Sequence, residues 1–414
     1  MKATVVAEET LVFQHLENEE DVKQNVDIQL RVFGQNSGAD LLVKKLIYNH
    51  PRMSLNNHFV IKHHGKIVAT LNLIPSEWSV GGVSLKVAEM GNVATLPEHR
   101  NRGLIRTLVN EYHKEVVNQG YDLSVIEGIP YFYRQFGYEY AIPLDEEIVI
   151  PLERLPRQEP IPEIRPFTDK EIPKAMKLLA ETQSKFYIHS VRDEQIWKMQ
   201  QETGLTDGHV FEGYAVEENG EMTAYFRLSR KPEQKQLVLS EASDTDRRTT
   251  ETVLSFIKEV GQKNGFETLL VRTSCCDPLT RHLVALGAEQ RTPYAWQIRV
   301  TDYASMFRKM KPLFEERLAT SSFHNLTERL NFNFRRYVIQ TSIENGVIPE
   351  IQRLETGESC PIGLNPLVFT QLLLGHRNGH ELEMNYPDFH VQDTHKQLVD
   401  VLFPKLPSYI HDAY

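Results

Sequence analysis

The same succession of elements is written twice in this chain, and that repetition constrains its fold more than any other feature. "NHFVIKHHGKIVATLNL", from Asn57, alternates apolar and polar residues on either side of His64 and Gly65, the pattern of a β-hairpin. "EGYAVEENGEMTAYFRL", from Glu212, is a second such hairpin, with its turn at Asn219 and Gly220. Further on, "EYHKEVVNQGYDLSVI" from Glu111 and "SFIKEVGQKNGFETLLV" from Ser255 each read as a helix, a glycine (Gly120 or Gly265), an aromatic residue and an apolar strand. One shared hairpin is an easy coincidence. The same elements in the same order point to a tandem duplication.

At 414 residues the chain exceeds one ordinary core, so further division is expected. Pro156, Pro160, Pro162, Pro166 and Pro173 fall close together, and such density cannot continue a helix or a central strand. A first domain is therefore expected over 1–155 and its repeat over 156–300. From Asp302 the texture changes: "TDYASMFRKMKPLFEERL" reads as an amphipathic helix, and "NPLVFTQLLLGHR" and "DTHKQLVDVLF" as two more. A third, smaller α+β domain is expected over 301–414. Its end, "PKLPSYIHDAY", is held extended by Pro404 and Pro407 and lacks the composition of a free tail, so it is expected to dock.

Composition removes several functions. A net charge of −10 argues against general nucleic-acid binding. No apolar run approaches the roughly 18 residues of a membrane span, and the first residues turn acidic too early for a secretory signal. Cys275, Cys276 and Cys360 give neither a disulfide framework nor zinc-ligand spacing, so a reducing, cytoplasmic setting and no metal are expected. His63 and His64 are expected in a solvated turn, His99 in a loop, and His113 on a helix face. Cys275 and Cys276 are expected at a buried strand end.

The two copies differ at one turn. The first has "NVATLPEHRNRGLIRTL", a strand, then Arg100-x-x-Gly103, then apolar residues at helical spacing: Leu104, Leu108, Val109, Tyr112 and Val116. A helix N-terminus carries unpaired N–H groups and partial positive charge. Arg100 and Arg102 add charge, and Gly103 permits a sharp turn or close approach, so this turn suits a phosphate. The second copy has "VLSEASDTDRRTTETVLSF", with Arg247 and Arg248 but no glycine. Only the first is equipped to hold an anion.

"VATLPEHRNRGLIRTL" resembles motif A of the GCN5-related N-acetyltransferase (GNAT) superfamily, which cradles the pyrophosphate of acetyl-CoA. With the tandem copies, the further C-terminal domain and "FYRQFGYEYA", the chain resembles the enhanced intracellular survival (Eis) family of N-acetyltransferases over nearly its whole length. The resemblance implies tandem GNAT domains, each a mixed, mostly antiparallel sheet flanked by helices, plus a sterol-carrier-like α+β domain. It implies that Val93, Ala94 and Thr95 meet the acetyl-pantetheine arm and that Arg100, Asn101, Arg102, Gly103, Leu104, Ile105 and Arg106 hold the phosphates. It makes Tyr133 the general acid for the departing thiolate, and the C-terminal carboxylate of Tyr414 the base. Acetyl-CoA is then a co-substrate, and a homo-oligomer is implied, the family being known for hexamers.

A rival base stands at Glu89, four residues before Val93 and so on the same face of a regular strand. Departures from the family concern the acceptor: Gln35, two residues after Phe33, and Ala413 stand where acidic residues line its pocket. The function expected is transfer of acetyl from acetyl-CoA to a primary amine of a small cationic molecule. The alternatives are a protein or peptide lysine acetyltransferase, and a non-catalytic acyl-CoA-binding sensor or scaffold. A lipid groove is not expected at "LNPLVFTQLLLG", which reads as a core helix.

Overall fold

The structure is a computed structural model that describes residues 11–157, 163–206, 208–274, 276–291, 294–355 and 360–414. Pro160, Pro162 and Cys275 lie outside the described residues, and Cys276 is exposed. Among the described residues no helix is long and apolar enough to cross a membrane.

The first sheet is built from β1 (Leu11–His15), β2 (His58–His63), β3 (Lys66–Val80), β4 (Val83–Thr95), β5 (Leu123–Ile126) and β6 (Glu139–Pro143). The order is β1-β2-β3-β4-β5, then the distant strand Ala295–Val300, then β6. All pairs are antiparallel except β4 with β5. Helices α1 (Glu19–Phe33), α2 (Ala39–Tyr48) and α3 (Leu104–Asn118) complete this unit. α3 buries Leu104, Leu108, Val109, Tyr112 and Val116, the stripe its spacing predicts. The β2–β3 turn places His64 and Gly65 at φ 49° and 78°, and Asn219 and Gly220 of the second hairpin lie at 54° and 82°. Both turns twist with their strands in the way two-residue hairpins require.

The second sheet repeats the plan, with one exchange. Its order runs Glu289–Arg291, β7 (Glu146–Pro151), Thr268–Thr273, Gln236–Ala242, Glu221–Lys231, Glu212–Glu218 and Glu163–Pro166. Thus β7, which follows β6 directly, joins the second sheet, while Ala295–Val300 enters the first between β5 and β6. A third sheet (Glu328–Asn333, Val338–Glu344, Val347–Leu354, Ile362–Gly363 and His390–Val391) packs with the helix Tyr303–Ala319. Phe307, Phe314, Phe332, Phe369 and Phe403 fill its core, and this core runs on into Trp78, Leu85 and Trp296 beneath the first sheet. The helix Pro366–Leu373 is buried within it.

The C-terminal segment leaves this third unit and docks elsewhere. Tyr187 N–H donates to the Pro407 carbonyl (2.7 Å) and Tyr409 N–H to that of Ile188 (3.0 Å). The strand Ile188–Ser190 itself pairs with β3. The tail thereby docks beside Ile188–Ser190 through a single parallel bridge, Ile188↔Ser408, and is led toward the first sheet.

Candidate active site

The site opens where β4 and β5 part. Their parallel pairing covers only Val87↔Leu123, Ala88↔Ser124 and Glu89↔Val125. Beyond Glu89, β4 carries a bulge against β3, with Asn92 at φ 49°. A bulge bends its strand and re-aims the residues after it. Two side chains pin it: Gln29 Nε2 donates to the Asn92 carbonyl (3.0 Å), and Asn72 Nδ2 to Asn92 Oδ1 (2.9 Å). The extra residue also breaks the two-residue period of β4. Glu89 and Val93, expected on one face, line different cavities.

A cavity of about 560 Å³ occupies the opening. One wall is the loop from Thr95 to α3. Asn101 and Gly103 adopt φ 62° and 75°, and Gly103 stands at the α3 N-cap, where no side chain caps the helix. A Cβ added to Gly103 would meet nothing within 4 Å, so backbone conformation and the free space before the helix, rather than packing, account for glycine there. Val93, Thr95 and all of 99–106 line this cavity. Thr95 Oγ1 is buried with no hydrogen-bond partner. Ala94 is buried and absent from the wall. Arg100, Arg102 and Arg106 are exposed. Arg106 donates to Gln135 Oε1 (2.6 Å), and Arg102 meets His99 Nδ1 at 3.3 Å. The unfilled helix terminus, the arginines and the roomy cleft fit a CoA thioester.

The opposite wall is the segment that "FYRQFGY" marks, with Phe132, Tyr133, Gln135 and Phe136 joined by Ile129 and, from α1, Val32 and Phe33. Tyr133 is buried, and its hydroxyl makes no hydrogen bond among the described residues. Burial first, and Tyr294 second, raises its pKa, so the phenol stays protonated and able to donate. Its ring lies directly on Gly128, where an added Cβ would come within 2.2 Å of it. Gln297, on the exchanged strand Ala295–Val300, donates to the Gly128 carbonyl (2.7 Å). The exchanged strand thus fixes the loop beneath Tyr133. The sequence marks Tyr133 through its motif but gives no signal for Gln297, which becomes a neighbour only through strand exchange.

Beneath the cleft, Tyr112 donates to the Ala88 carbonyl (2.9 Å), and Ser124 Oγ links it to the Tyr138 hydroxyl at 2.9 and 2.6 Å. His113 Nε2 contacts Tyr138 at 3.0 Å, and burial first, then Arg299, lowers its pKa to about 3. His113 is therefore half-buried in a neutral network, more than a helix-face residue. His63, expected in solvent, packs against His64 (tilted rings, 4.2 Å) and edge-on against His99 (5.1 Å). His64 itself is exposed.

The two candidate bases meet in a small cleft with Ser76, Trp78 and Glu127. The Tyr414 phenol donates to Glu89 Oε1 (2.6 Å), and Glu89 is buried. The Tyr414 backbone oxygen accepts from Gln200 Nε2 (3.2 Å), which also reaches the Asp412 carbonyl (3.2 Å). Gln200 Oε1 accepts from Arg192 (3.1 Å) and Arg227 (2.9 Å), so its amide can only turn its N–H groups toward the tail. Both arginines belong to a buried cluster around Glu241, which takes two 2.9 Å bonds from Arg192. Burial alone would raise the Glu241 pKa, but Arg192 and Arg227 hold it down at about 2. Tyr133 and Tyr414 line separate cavities.

Residues 15–141 match the family described as acetyltransferase (GNAT) domain. No curated protein matches the chain in sequence. Solved structures share its fold end to end. A GCN5-related N-acetyltransferase from Anabaena variabilis is 17% identical, with 98% of this chain and 100% of that one covered at a TM-score of 0.73. A conserved protein of unknown function from Enterococcus faecalis, described as a probable N-acyltransferase, is 16% identical with the same coverage and a TM-score of 0.74. Eis1 from Mycobacterium abscessus is 14% identical, with 96% and 99% covered and a TM-score of 0.63.

Proposed function

We propose that this chain, whose residues 15–141 form an acetyltransferase (GNAT) domain, is an acetyl-CoA-dependent N-acetyltransferase whose acceptor amine attacks directly. The observation that carries the reading is a convergence on one cavity: an uncapped helix N-terminus, the flanking arginines and a buried phenol that remains a donor. Acyl transfer to an amine requires a neutral amine, stabilisation of developing negative charge and a proton for the leaving group.

When bound, acetyl-CoA supplies the acetyl thioester. The N–H groups of the first turn of α3, with Arg100, Arg102 and Arg106, hold the phosphates; Val93, Ala94 and Thr95 flank the acyl arm. Tyr133 donates its proton to the departing thiolate, a role that a phenol held protonated by burial can fill. The base in this reading is the terminal carboxylate of Tyr414, and Glu89 is its competitor. The 2.6 Å bond from the Tyr414 phenol to Glu89 couples them, so deleting Tyr414 removes one and disturbs the other. The third unit that supplies Tyr414 corresponds, in this reading, to the sterol-carrier-like domain of the Eis family.

The test is steady-state release of CoA thiol over a panel of primary amines and lysine peptides. Wild type would run beside Tyr133→Phe, Tyr414→Phe and a chain lacking Tyr414. Turnover on one amine class that survives Tyr414→Phe and collapses without Tyr414 supports the carboxylate as base. Collapse in both, matched by Glu89→Gln, transfers the role to Glu89. Tight acetyl-CoA binding without turnover of any amine would overturn the enzyme reading in favour of a sensor.

A further inference from the structure

A second cavity, of about 230 Å³, lies between the loop after α1 and the second domain. Its floor is set by two glycines in contact. Gly38 and Gly208 lie at φ 76° and 71°, and a Cβ on either would approach the other's carbonyl oxygen to 2.4 or 2.6 Å. The first-domain loop is therefore pressed against the second domain, and both contribute walls. Asn36 Nδ2 donates to Glu233 (2.9 Å) across the same junction.

Cations outnumber carboxylates in the lining of this cavity. Arg230, Lys231 and Arg272 line it together with His209, Asp40 and Asp412, and Asp40 is paired with Lys44 (3.0 Å). Arg230 is engaged by Glu212. Lys231, half-buried, has no hydrogen-bond or ion-pair partner among the described residues. Burial first, and Arg272 second, lowers its pKa, with Glu147 opposing. Ser229, only 6% exposed, also lines the cavity, and its hydroxyl is buried with no partner. A buried hydroxyl left unpaired costs stability unless something fills the place. Gln35, the residue that departs from the resembled family's acidic lining, stands in this wall.

At its other end the cavity touches the tail. Asp412, whose carboxylate accepts from Thr206 Oγ1 (3.0 Å), lines this cavity and also the cleft that holds Glu89, Glu127 and Tyr414. From this cavity to the cleft that shares Asp412, the lining changes from one where cations outnumber carboxylates to one that holds Glu89, Glu127 and Asp412. A molecule with an anion at one end and an amine at the other matches that order.

We propose that the acceptor is a small primary amine bearing an acidic group, a carboxylate or a phosphate, and that this group seats against Lys231 and Ser229. The proposal rests on the acetyl-transfer reading and names its acceptor class. The amine end lies toward Asp412 and the Glu89–Tyr414 pair, and the acidic end fixes its orientation. Acetylation then replaces one N–H proton by the acetyl group, the proton going to the base and the thiolate taking a proton from Tyr133.

The experiment uses the full chain and matched probes that differ only in the acidic group: lysine against cadaverine, and O-phosphoethanolamine against ethanolamine. Thiol release gives kcat/KM for each. Calorimetry with CoA present gives binding of the two acidic probes to wild type, Lys231→Gln and Lys231→Arg. The expected result is a preference for one acidic member over its neutral partner. That preference falls about 10- to 100-fold in Lys231→Gln through KM, as loss of a charged hydrogen bond predicts, and survives in Lys231→Arg. Which pair responds distinguishes carboxylate from phosphate. Binding of an acidic probe that Lys231→Gln abolishes, with no amine turned over, would uphold the anion seat and overturn the acetyl-transfer reading. Turnover with no preference for acidic members, or no binding of either acidic probe, would overturn the proposal itself.

Discussion

The two copies meet the same problem, a helix N-terminus at the mouth of a splayed pair of strands, and solve it in opposite ways. In the first, α3 begins at Gly103 with no side-chain cap, beside a cavity of about 560 Å³. In the second, Asp246 caps the helix Arg247–Lys263 by accepting from Thr249 N–H (2.7 Å). Asp244 stands beside it, bonded to Lys185 at 2.6 and 2.8 Å, and about 30 Å³ of space is left nearby. A carboxylate of the chain itself occupies the place where a phosphate would bind. The polar groups below differ in the same sense: a neutral Tyr112–Ser124–Tyr138–His113 network in one copy, a buried Arg192–Glu241–Arg227 cluster in the other. The first copy leaves its helix terminus open beside a cavity. The other caps its helix terminus with its own carboxylate, and its Gln200, held by Arg192 and Arg227, grips the tail.

Breaking the first copy at Tyr133, the proposed acid, should have the largest effect. Tyr133→Phe is expected to lower kcat by about 10²–10⁴, the usual contribution of a positioned proton donor. Acetyl-CoA affinity in calorimetry should be retained, because the loop is untouched. Giving the first copy the second copy's carboxylate comes next. Gly103→Asp places a negative charge at the α3 N-cap and should weaken CoA binding about 10- to 100-fold, read by titration.

Removing the second copy's cap should cost far less. Asp246→Ala is expected to lower stability by about 1 kcal/mol in chemical denaturation, with CoA affinity unchanged. The smallest difference concerns pH. His58, lowered to about 4 by burial, and His113, at about 3, are neutral when folded but charge near pH 6.5 when unfolded. The stability they contribute is complete above about 6.5 and is lost as pH falls toward their folded values. Glu241, held at about 2, keeps its contribution above the unfolded carboxylate range and loses it only below that. Hydrogen exchange followed by segment should therefore show protection around α3 and β2 declining between pH 6.5 and 4, before that of the strand Gln236–Ala242. Simultaneous loss would contradict the contrast.

Much of this contrast was legible in the sequence, because it is local. Arg100-x-x-Gly103 followed by an apolar helical stripe, against Asp-Thr-Asp-Arg-Arg without a glycine, is written in a few adjacent residues, and the helix stripe follows from period alone. The hairpins were legible for the same reason, since His64-Gly65 and Asn219-Gly220 carry the turn chemistry themselves. What could not be read is long-range. Periodicity does not say that Ala295–Val300 crosses into the first sheet and brings Gln297 under Tyr133. Nor does it show the bulge at Asn92, an extra residue that shifts the face of everything after it and separates Glu89 from Val93. The pairing of Lys231 with Ser229 in one cavity depends on how two domains abut, which no window of residues encodes.

The most direct test of the account is the stoichiometry of CoA binding to the full chain by calorimetric titration. One equivalent per chain, weakened by Gly103→Asp and unaffected by Asp246→Ala, is the predicted result. Two equivalents, or one that persists at full affinity in Gly103→Asp, would contradict the assignment of the open loop to the first copy alone.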